Sequence, residues 1–359
     1  MNMENKGTFK ILSIDGGGIR GIIPAKVLSD MEDGLRAANN DVHLHLCDYF
    51  DMICGTSTGS IIALGLALGI SAHDILDLYI DNADKIFPDS SLSKSLIRDL
   101  PLYASDYLKK KMTDTFAKCT PDRNTRLGDC KTRVLIPTYV SSRGEVHIFK
   151  TPHLPEYNED WQIPAADVAL SSSAAPAYFN PYSFKFDTLD GTSSVEYINN
   201  IDGGIFANNP SMIGLTEAVC NLHVPIADVK ILSIGTGNNL FCETNPNKDF
   251  GPRYWISPLN RHRKLRIYEM VASSQSEYVD SMMRTMYTGA GCVETNYFRL
   301  QHDFKKRDII GMDNTDPESI QLMIDAGTKL FEPRAALLSN TFLSAKRQEY
   351  KPCYAVERG

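Results

Sequence analysis

Phe9-Lys10-Ile11-Leu12-Ser13-Ile14 is a compact β-type run that stops at Asp15-Gly16-Gly17-Gly18, and over residues 22–35 the apolar positions return at helical spacing. Strand, glycine turn, helix is the order this predicts. It recurs where Tyr49-Phe50-Asp51-Met52-Ile53-Cys54 runs into Gly55-Thr56-Ser57-Thr58-Gly59, followed by an apolar helix over 60–69. A third run, 133–140, ends near Ser141-Ser142-Arg143-Gly144, a turn leading to a strand over 145–150. A later strand over 229–234 ends at Gly235-Thr236-Gly237. Between residues 74 and 120 helices dominate, with Ile75, Leu76, Leu78 and Tyr79 repeating near a period of 3.6. Residues 241–260, rich in Asn, Pro and Gly, read as a long mobile loop, and 344–359 as a peripheral tail.

Strands that alternate with helices and end in glycine turns predict an α/β fold. Its central sheet is mainly parallel with helices on both faces, and its functional groups gather at the strand C-terminal ends. The 359 residues are 43% apolar, 9% aromatic and 23% charged, which excludes a disordered chain, a collagen-like repeat and a disulfide miniprotein. A net charge of −7 from 44 acidic and 37 basic side chains argues against DNA or RNA as a partner, because phosphate neutralisation needs clustered Lys and Arg. Eight scattered cysteines without a C-x-x-C pair, together with a polar N-terminus, read as a cytoplasmic protein with reduced thiols. The longest apolar stretch, 60–70, is about half of the roughly 20 residues a bilayer span needs, so it reads as a buried helix.

Gly55-Thr56-Ser57-Thr58-Gly59 matches G-x-S-x-G between a predicted strand and a predicted helix. In that setting a tight turn strains the serine backbone and presents its hydroxyl above the sheet. The following helix aims its positive dipole end at Ser57. Gly16, Gly18 and Gly21 also satisfy G-x-G-x-x-G, so a dinucleotide site competes for this loop. That fingerprint needs an acidic residue at the end of a second strand, and no convincing strand ends at Asp33 or Asp41. The alternative is an oxyanion hole, in which the amides of Gly17 and Gly18 converge on developing negative charge. Such a donor is worth on the order of 3 kcal/mol to a transition state. Arg20 either holds this loop, sits near an anionic group of the substrate, or faces solvent. A third signal, Asp202-Gly203-Gly204, follows a β-like run over 195–201 and precedes Asn208-Asn209-Pro210. An acid at a strand end beside two glycines can approach a hydroxyl closely enough to take its proton.

In this order, Asp15-Gly16-Gly17-Gly18-Ile19-Arg20-Gly21, Gly55-Thr56-Ser57-Thr58-Gly59 and Asp202-Gly203-Gly204 resemble the patatin-like phospholipases. Two further segments, Ser171-Ser172-Ser173-Ala174-Ala175-Pro176-Ala177-Tyr178-Phe179 and Ser233-Ile234-Gly235-Thr236-Gly237, are similar to parts of that family. The resemblance spans residues 9–237. It implies a phospholipase A-type acyl hydrolase with Ser57 as nucleophile and Asp202 as general base. Gly17 and Gly18 would be the oxyanion donors, with Gly16 and Arg20 completing their loop, and no metal or other cofactor is required. Residues 1–343 would then form one hydrolase domain whose lid or regulatory portion is built from 74–120 and 241–266. Bacterial members of this length include anti-phage effectors switched on by cyclic nucleotides, which implies a cyclic oligonucleotide activator, and a homo-oligomer is compatible with the sequence.

Two rivals stay open. A Ser–Asp–His triad is permitted by chain order, since His223, His262 and His302 follow Asp202. A nucleotide-binding sensor on a hydrolase-like scaffold is the other. His43-x-His45-x-Cys47 would share one strand face but has no evident fourth ligand, so it reads as structural rather than as zinc. Arg253, Arg261, His262, Arg263, Lys264 and Arg266 cluster near Tyr254 and Trp255. That patch suits anionic lipid headgroups or a phosphate-bearing ligand, and membrane phospholipids as substrate would place the protein peripherally on a membrane when active.

Overall fold

The hexapeptides FKILSI and VKILSI lie side by side in this fold as parallel strands β1 (Phe9–Ile14) and β7 (Val229–Ile234), paired Phe9 with Val229 through Ile14 with Ile234. Near-continuous apolar strands of this kind are stable only when both faces of the sheet are covered. The computed structural model describes residues 7–88, 103–239, 244–247, 249–255, 266–305 and 310–357.

After β1 come α1 (Ile22–Asn39), β2 (Met52–Gly55), α2 (Thr58–Ala67), α3 (Ala72–Ile86), α4 (Asp106–Phe116), β3 (Arg133–Val140), β4 (Glu145–Lys150) and α5 (Ala165–Ser172). They are followed by β5 (Tyr182–Asp187), β6 (Ser194–Asp202), α6 (Gly204–Ala207), α7 (Ser211–Thr216) and β7. Beyond β7 lie β8 (Asn238–Asn239), α8 (Pro252–Trp255), α9 (Arg266–Gly289), α10 (Val293–Asn296), β9 (Tyr297–Leu300), β10 (Asp303–Phe304), α11 (Pro317–Phe331) and α12 (Ala335–Leu338). The main sheet runs β5-β6-β3-β2-β1-β7-β9, with β4 paired to β3. Strands β3, β2, β1, β7 and β9 are mutually parallel, β4 and β6 pair antiparallel with β3, and β5 pairs antiparallel with β6. The α/β architecture read from the sequence is therefore the one observed.

Alternation along the strands divides the core. Leu12, Ile14 and Ile53 face the layer containing α1, α2 and α3, while Ile11, Met52 and Cys54 face the layer with Leu215, Val279 and Met283. All ten residues of α2 are buried, as the apolar run over 60–69 predicts. Among the described residues no helix is long and apolar enough to cross a membrane.

One detail of strand pairing builds the site. The first half of β3 pairs with β2, Arg133 with Met52 through Leu135 with Cys54, and its second half pairs with β6, Thr138 with Asp202 and Val140 with Asn200. The other edge of β3 is taken by β4 over 135–140. Strand β6 therefore descends along the same edge of β3 that β2 climbs, and the two meet end to end. The C-termini of β2 and β6, which lead to Ser57 and end at Asp202, face each other across that gap.

The structure departs from the sequence reading at His43–Cys47 and within 241–260. His43, His45 and Cys47 do not share a strand. A 3-10 turn at Leu46–Asp48 separates them, with His43 exposed and Cys47 buried. No strand ends at Asp33, which lies within α1, or at Asp41, just beyond it, so the glycine loop lacks the acidic partner of a dinucleotide fold. The stretch read as a loop over 241–260 contains the helical turn α8, while 241–243, 248 and 256–260 lie outside the described residues. Of the basic patch, Arg261, His262, Arg263 and Lys264 also lie outside them. Residues 344–357 are laid against the body of the protein: Arg347 donates from its amide to the Asp48 carbonyl and from Nε to the Cys47 carbonyl, and Tyr354 stacks on Trp161.

Candidate active site

Ser57 stands between β2 and α2 with φ 54° and ψ −122°, a conformation that side-chain-bearing residues rarely adopt and that costs on the order of 1–3 kcal/mol. The surroundings hold it there. The Ser57 amide donates to Ser172 Oγ at 3.1 Å, and Ser172 Oγ donates to the Pro137 carbonyl at 2.7 Å. The Ser57 carbonyl accepts from Ser60 Oγ at 2.6 Å and from Ser173 Oγ at 3.1 Å. Thr56 Oγ1 is anchored on the Ala207 carbonyl. The flanking glycines are required by close approach: a Cβ on Gly55 would run into the Gly59 carbonyl, and one on Gly59 into the Ile14 carbonyl.

The glycine loop lies over this turn. A Cβ on Gly16 would stand 3.1 Å from Ser57 Cβ and 2.5 Å from Asn208 Oδ1. Gly18 has φ 60° and would drive a Cβ into the Met312 carbonyl. The loop's donors are unequally committed. Gly16 N–H donates to the Asn208 carbonyl at 3.0 Å and Ile19 N–H to the Met312 carbonyl at 2.8 Å. Among the described residues the amides of Gly17 and Gly18, which open the 3-10 turn Gly18–Gly21, have no such partner, as expected at a helical N-terminus. Arg20 is 2% exposed, which removes the solvent-facing alternative, and its charge reaches Tyr178 on the pocket wall.

Asp202 is completely buried at the end of β6. Its Oδ1 accepts from Gly204 N–H at 2.7 Å, while Oδ2 closes no full hydrogen bond. Burial pushes its carboxyl up to about 6, moderated by the facing Ser57 hydroxyl, the Gly204 amide and the Tyr268 hydroxyl. Gly203 packs so tightly on the Pro137 carbonyl that a side chain has no room there. Asp15, at the root of the glycine loop, is a different kind of carboxylate. Arg299 grips it bidentately (Nη1 to Oδ1 2.8 Å, Nη2 to Oδ2 2.6 Å), and Ser276 Oγ donates to Oδ2 at 3.1 Å. Arg299 also donates to Ser233 Oγ, whose other contact, Ser211 Oγ, bonds Ser13 as well. This pair ties β1, β9 and α9 together beneath the loop.

The structure thus brings together Ser57, Asp202 and the loop of Gly16, Gly17 and Gly18, with Gly21, Gly55, Gly59, Gly203 and Gly204 as the close-packed points that let them meet. Ser172 and Ser173, seen in the sequence only as part of a similar segment, prove to be the clamps on Ser57. Tyr268 and Arg299 carry no sequence signal, because they lie beyond residue 237, where no motif repeats a known pattern.

What the site can bind follows from its walls. An apolar pocket opens at Ser57 and the Gly17-Gly18 loop and is lined by Ile61, Leu78, Phe87, Leu108, Met112 and Phe179 among others. Among the described residues no histidine lines it. A serine presented at the mouth of a slot shaped for hydrocarbon defines a lipid acyl hydrolase. The patatin-like phospholipase family model matches residues 12–214. The chain is 32% identical over 342 residues to the cGAMP-activated phospholipase of Vibrio cholerae, covering 90% of this chain and 91% of that one. It is 30% identical over 330 residues to the cGAMP-activated phospholipase of Pseudomonas aeruginosa, covering 89% and 87%. With Patatin-like protein 2 of Arabidopsis thaliana it shares 30% identity over 351 residues, covering 91% and 83%. The chain belongs to the patatin-like phospholipase family and is a lipid hydrolase.

Proposed function

We propose that the chain cleaves acyl esters of membrane phospholipids through a Ser57–Asp202 dyad. The observation that carries this reading is the meeting of the β2 and β6 C-termini along one edge of β3, which sets the strained Ser57 against a buried carboxylate at the mouth of an apolar pocket. Asp202 takes the Ser57 proton as Oγ attacks the ester carbonyl, and the tetrahedral oxyanion is received by the uncommitted amides of Gly17 and Gly18. The proton passes from Asp202 to the leaving alcohol, giving a lysophospholipid and an acyl-serine. Asp202 then deprotonates water, which releases the fatty acid and restores the serine. A carboxyl held at about 6 is mostly ionised at neutral pH yet basic enough to take the proton. Gly16 and Arg20 act by shaping the loop, since the Gly16 amide is already committed. The triad reading is disfavoured because His223 and His302 do not line the pocket, and His262 lies outside the described residues.

Lipid mass spectrometry on membranes treated with the wild type, Ser57→Ala and Asp202→Asn tests this. Fatty acid and lysophospholipid should accumulate only with the wild type, and retained turnover in either variant overturns the dyad. The names of the bacterial relatives support a cyclic dinucleotide as activator, with membrane association and self-association as companions of the active state. A panel of cyclic di- and trinucleotides at micromolar concentration should raise hydrolysis with at least one member. If neither hydrolysis nor vesicle sedimentation responds, regulation by such a ligand is refuted while the dyad stands.

A further inference from the structure

Helix α9 reaches the catalytic carboxylate from a part of the chain that carries no motif. Tyr268 lies in its first turn, and the Tyr268 hydroxyl, Asp202 Oδ1 and Asn208 Oδ1 converge on Gly204. A Cβ built on that glycine would stand 2.9 Å from the first and 3.0 Å from each of the others. The Tyr268 ring packs edge-on against Tyr178, with centroids 6.2 Å apart and an interplanar angle of 68°. Tyr178 in turn stacks on Tyr103, whose amide donates to the Tyr178 carbonyl. Both Tyr178 and Tyr268 line the apolar pocket with Ser57. The ring is therefore held by its neighbours while its hydroxyl faces Asp202, and Gly204 lacks the side chain that would separate the two.

We propose that Tyr268 is a positioning residue for Asp202, its hydroxyl acting as a second donor that keeps the carboxylate ionised and turned toward Ser57. The inference rests on the Ser57–Asp202 reading. An ionised carboxylate in a dry site needs donors, because burial alone favours its neutral form. Asp202 has one fixed donor, the Gly204 amide on Oδ1, while Oδ2 has no full hydrogen bond in the resting geometry. Of the two hydroxyls that face the ionised carboxylate before attack, Ser57 is the one that gives up its proton, so Tyr268 is the donor the reaction does not consume. Its own proton is secure, since burial holds the phenol well above its ordinary range. The same contact makes the dyad depend on the first turn of α9. In that turn Arg266 stacks over the Tyr254 ring, 4.6 Å from Cζ to centroid, which links the Phe250-Tyr254-Trp255 cluster to the base.

The test is the pH profile of kcat/KM on a p-nitrophenyl acyl ester, with the rate of fluorophosphonate labelling of Ser57 as a second readout. In Tyr268→Phe the acid limb should move to higher pH by about one unit, with kcat falling more than KM rises. Replacing Tyr268 with 3-fluorotyrosine keeps the shape, and so the fold, but donates more strongly, and should move the limb to lower pH. A purely structural role for the ring leaves both limbs at the wild-type position, and that result overturns the proposal. Asp202→Asn separates the two failures. If it keeps the wild-type limb, the dyad reading falls. If it abolishes activity while neither Tyr268 replacement moves the limb, only the role of Tyr268 falls.

Discussion

Replacing Asp202 with Asn should remove activity and at the same time stabilise the protein, and the structure sets the size of the gain. The carboxyl rises from 3.8 to about 6 in the folded state, so the folded protein holds the Asp202 proton more tightly than the unfolded chain does. The sign follows from that. Below about pH 4 the group is protonated in both states and costs nothing. Through the interval from about 4 to about 6 the unfolded chain releases its proton first, and stability falls as pH rises. Above about 6 the loss is complete. A shift of about two units at 1.36 kcal/mol per unit gives a penalty of about 3 kcal/mol at pH 7.5. Asparagine carries no such charge. Its carbonyl oxygen can accept from Gly204 N–H as Oδ1 does, and its amide takes the place of Oδ2, which closes no full hydrogen bond that would be lost. Thermal unfolding of the wild type and Asp202→Asn across pH 4 to 8 checks the claim. The variant should unfold several degrees higher at pH 7.5, by the usual scaling of stability with melting temperature, and the two curves should converge near pH 4. A variant no more stable than the wild type at pH 7.5, or a difference that does not change with pH, would falsify the account of a base kept under electrostatic strain.

Ser57→Gly and Ser57→Ala should both be inactive by at least about a thousandfold. The glycine variant should nonetheless be the more stable by about 1 kcal/mol in chemical denaturation, because only glycine relaxes at φ 54°; equal midpoints argue that the turn is unstrained. Arg299→Met removes both hydrogen bonds from a carboxylate that is 1% exposed and should cost about 3–5 kcal/mol, read as a lowered urea midpoint that Asp15→Asn partly restores. Glu217 is buried, and although burial alone would raise its carboxyl, hydrogen bonds from His153, Lys150 and Tyr157 hold it at about 2. It contributes stability that is present above about pH 4.5 and lost as pH falls through about 2. Glu217→Gln should therefore lower stability by about 3 kcal/mol at pH 7 while leaving hydrolysis at wild-type levels, since neither Glu217 nor its donors His153, Lys150 and Tyr157 line the pocket at Ser57. A large loss of turnover in the folded variant would contradict that separation.

What the sequence made legible was whatever depends on local backbone demands. A glycine that must let another chain segment through, or a serine forced to positive φ, leaves a mark in residues directly beside it, so the turns at Gly16-Gly17-Gly18 and 55–59 could be read before any fold was known. Alternating and continuous apolar runs marked the strands and the buried helix α2 for the same reason: the period of the pattern reports the local geometry. Partners that arrive by tertiary packing leave no such mark. Arg299 meets Asp15 across 284 positions of sequence, and nothing next to Arg299 distinguishes it from a surface arginine. The helical turn α8 interrupts a stretch whose Asn, Pro and Gly content reads as loop, because four residues give no period to detect.

The division has a physical consequence for how the site is held. The motif half of the chain, up to residue 237, supplies Ser57, Asp202 and the Gly16-Gly17-Gly18 loop, which are held by close backbone contacts. The remaining part supplies the Met312 carbonyl under the glycine loop together with α9 and β9, whose side chains reach the same site: Tyr268 facing Asp202, Ser276 and Arg299 on Asp15, and Ser276 again accepting from Asn208 Nδ2 at 2.9 Å. A net charge of −7 repels an anionic bilayer, so the proposed action on membrane phospholipid requires a local surface of the opposite character. The aromatic cluster of Phe250, Tyr254 and Trp255 with Arg266 supplies apolar rings and positive charge together. Arg266, through which that cluster meets α9, is two residues from Tyr268. Helix α9 therefore joins that cluster, through Arg266, to the side chains that face Asp202 and hold Asp15.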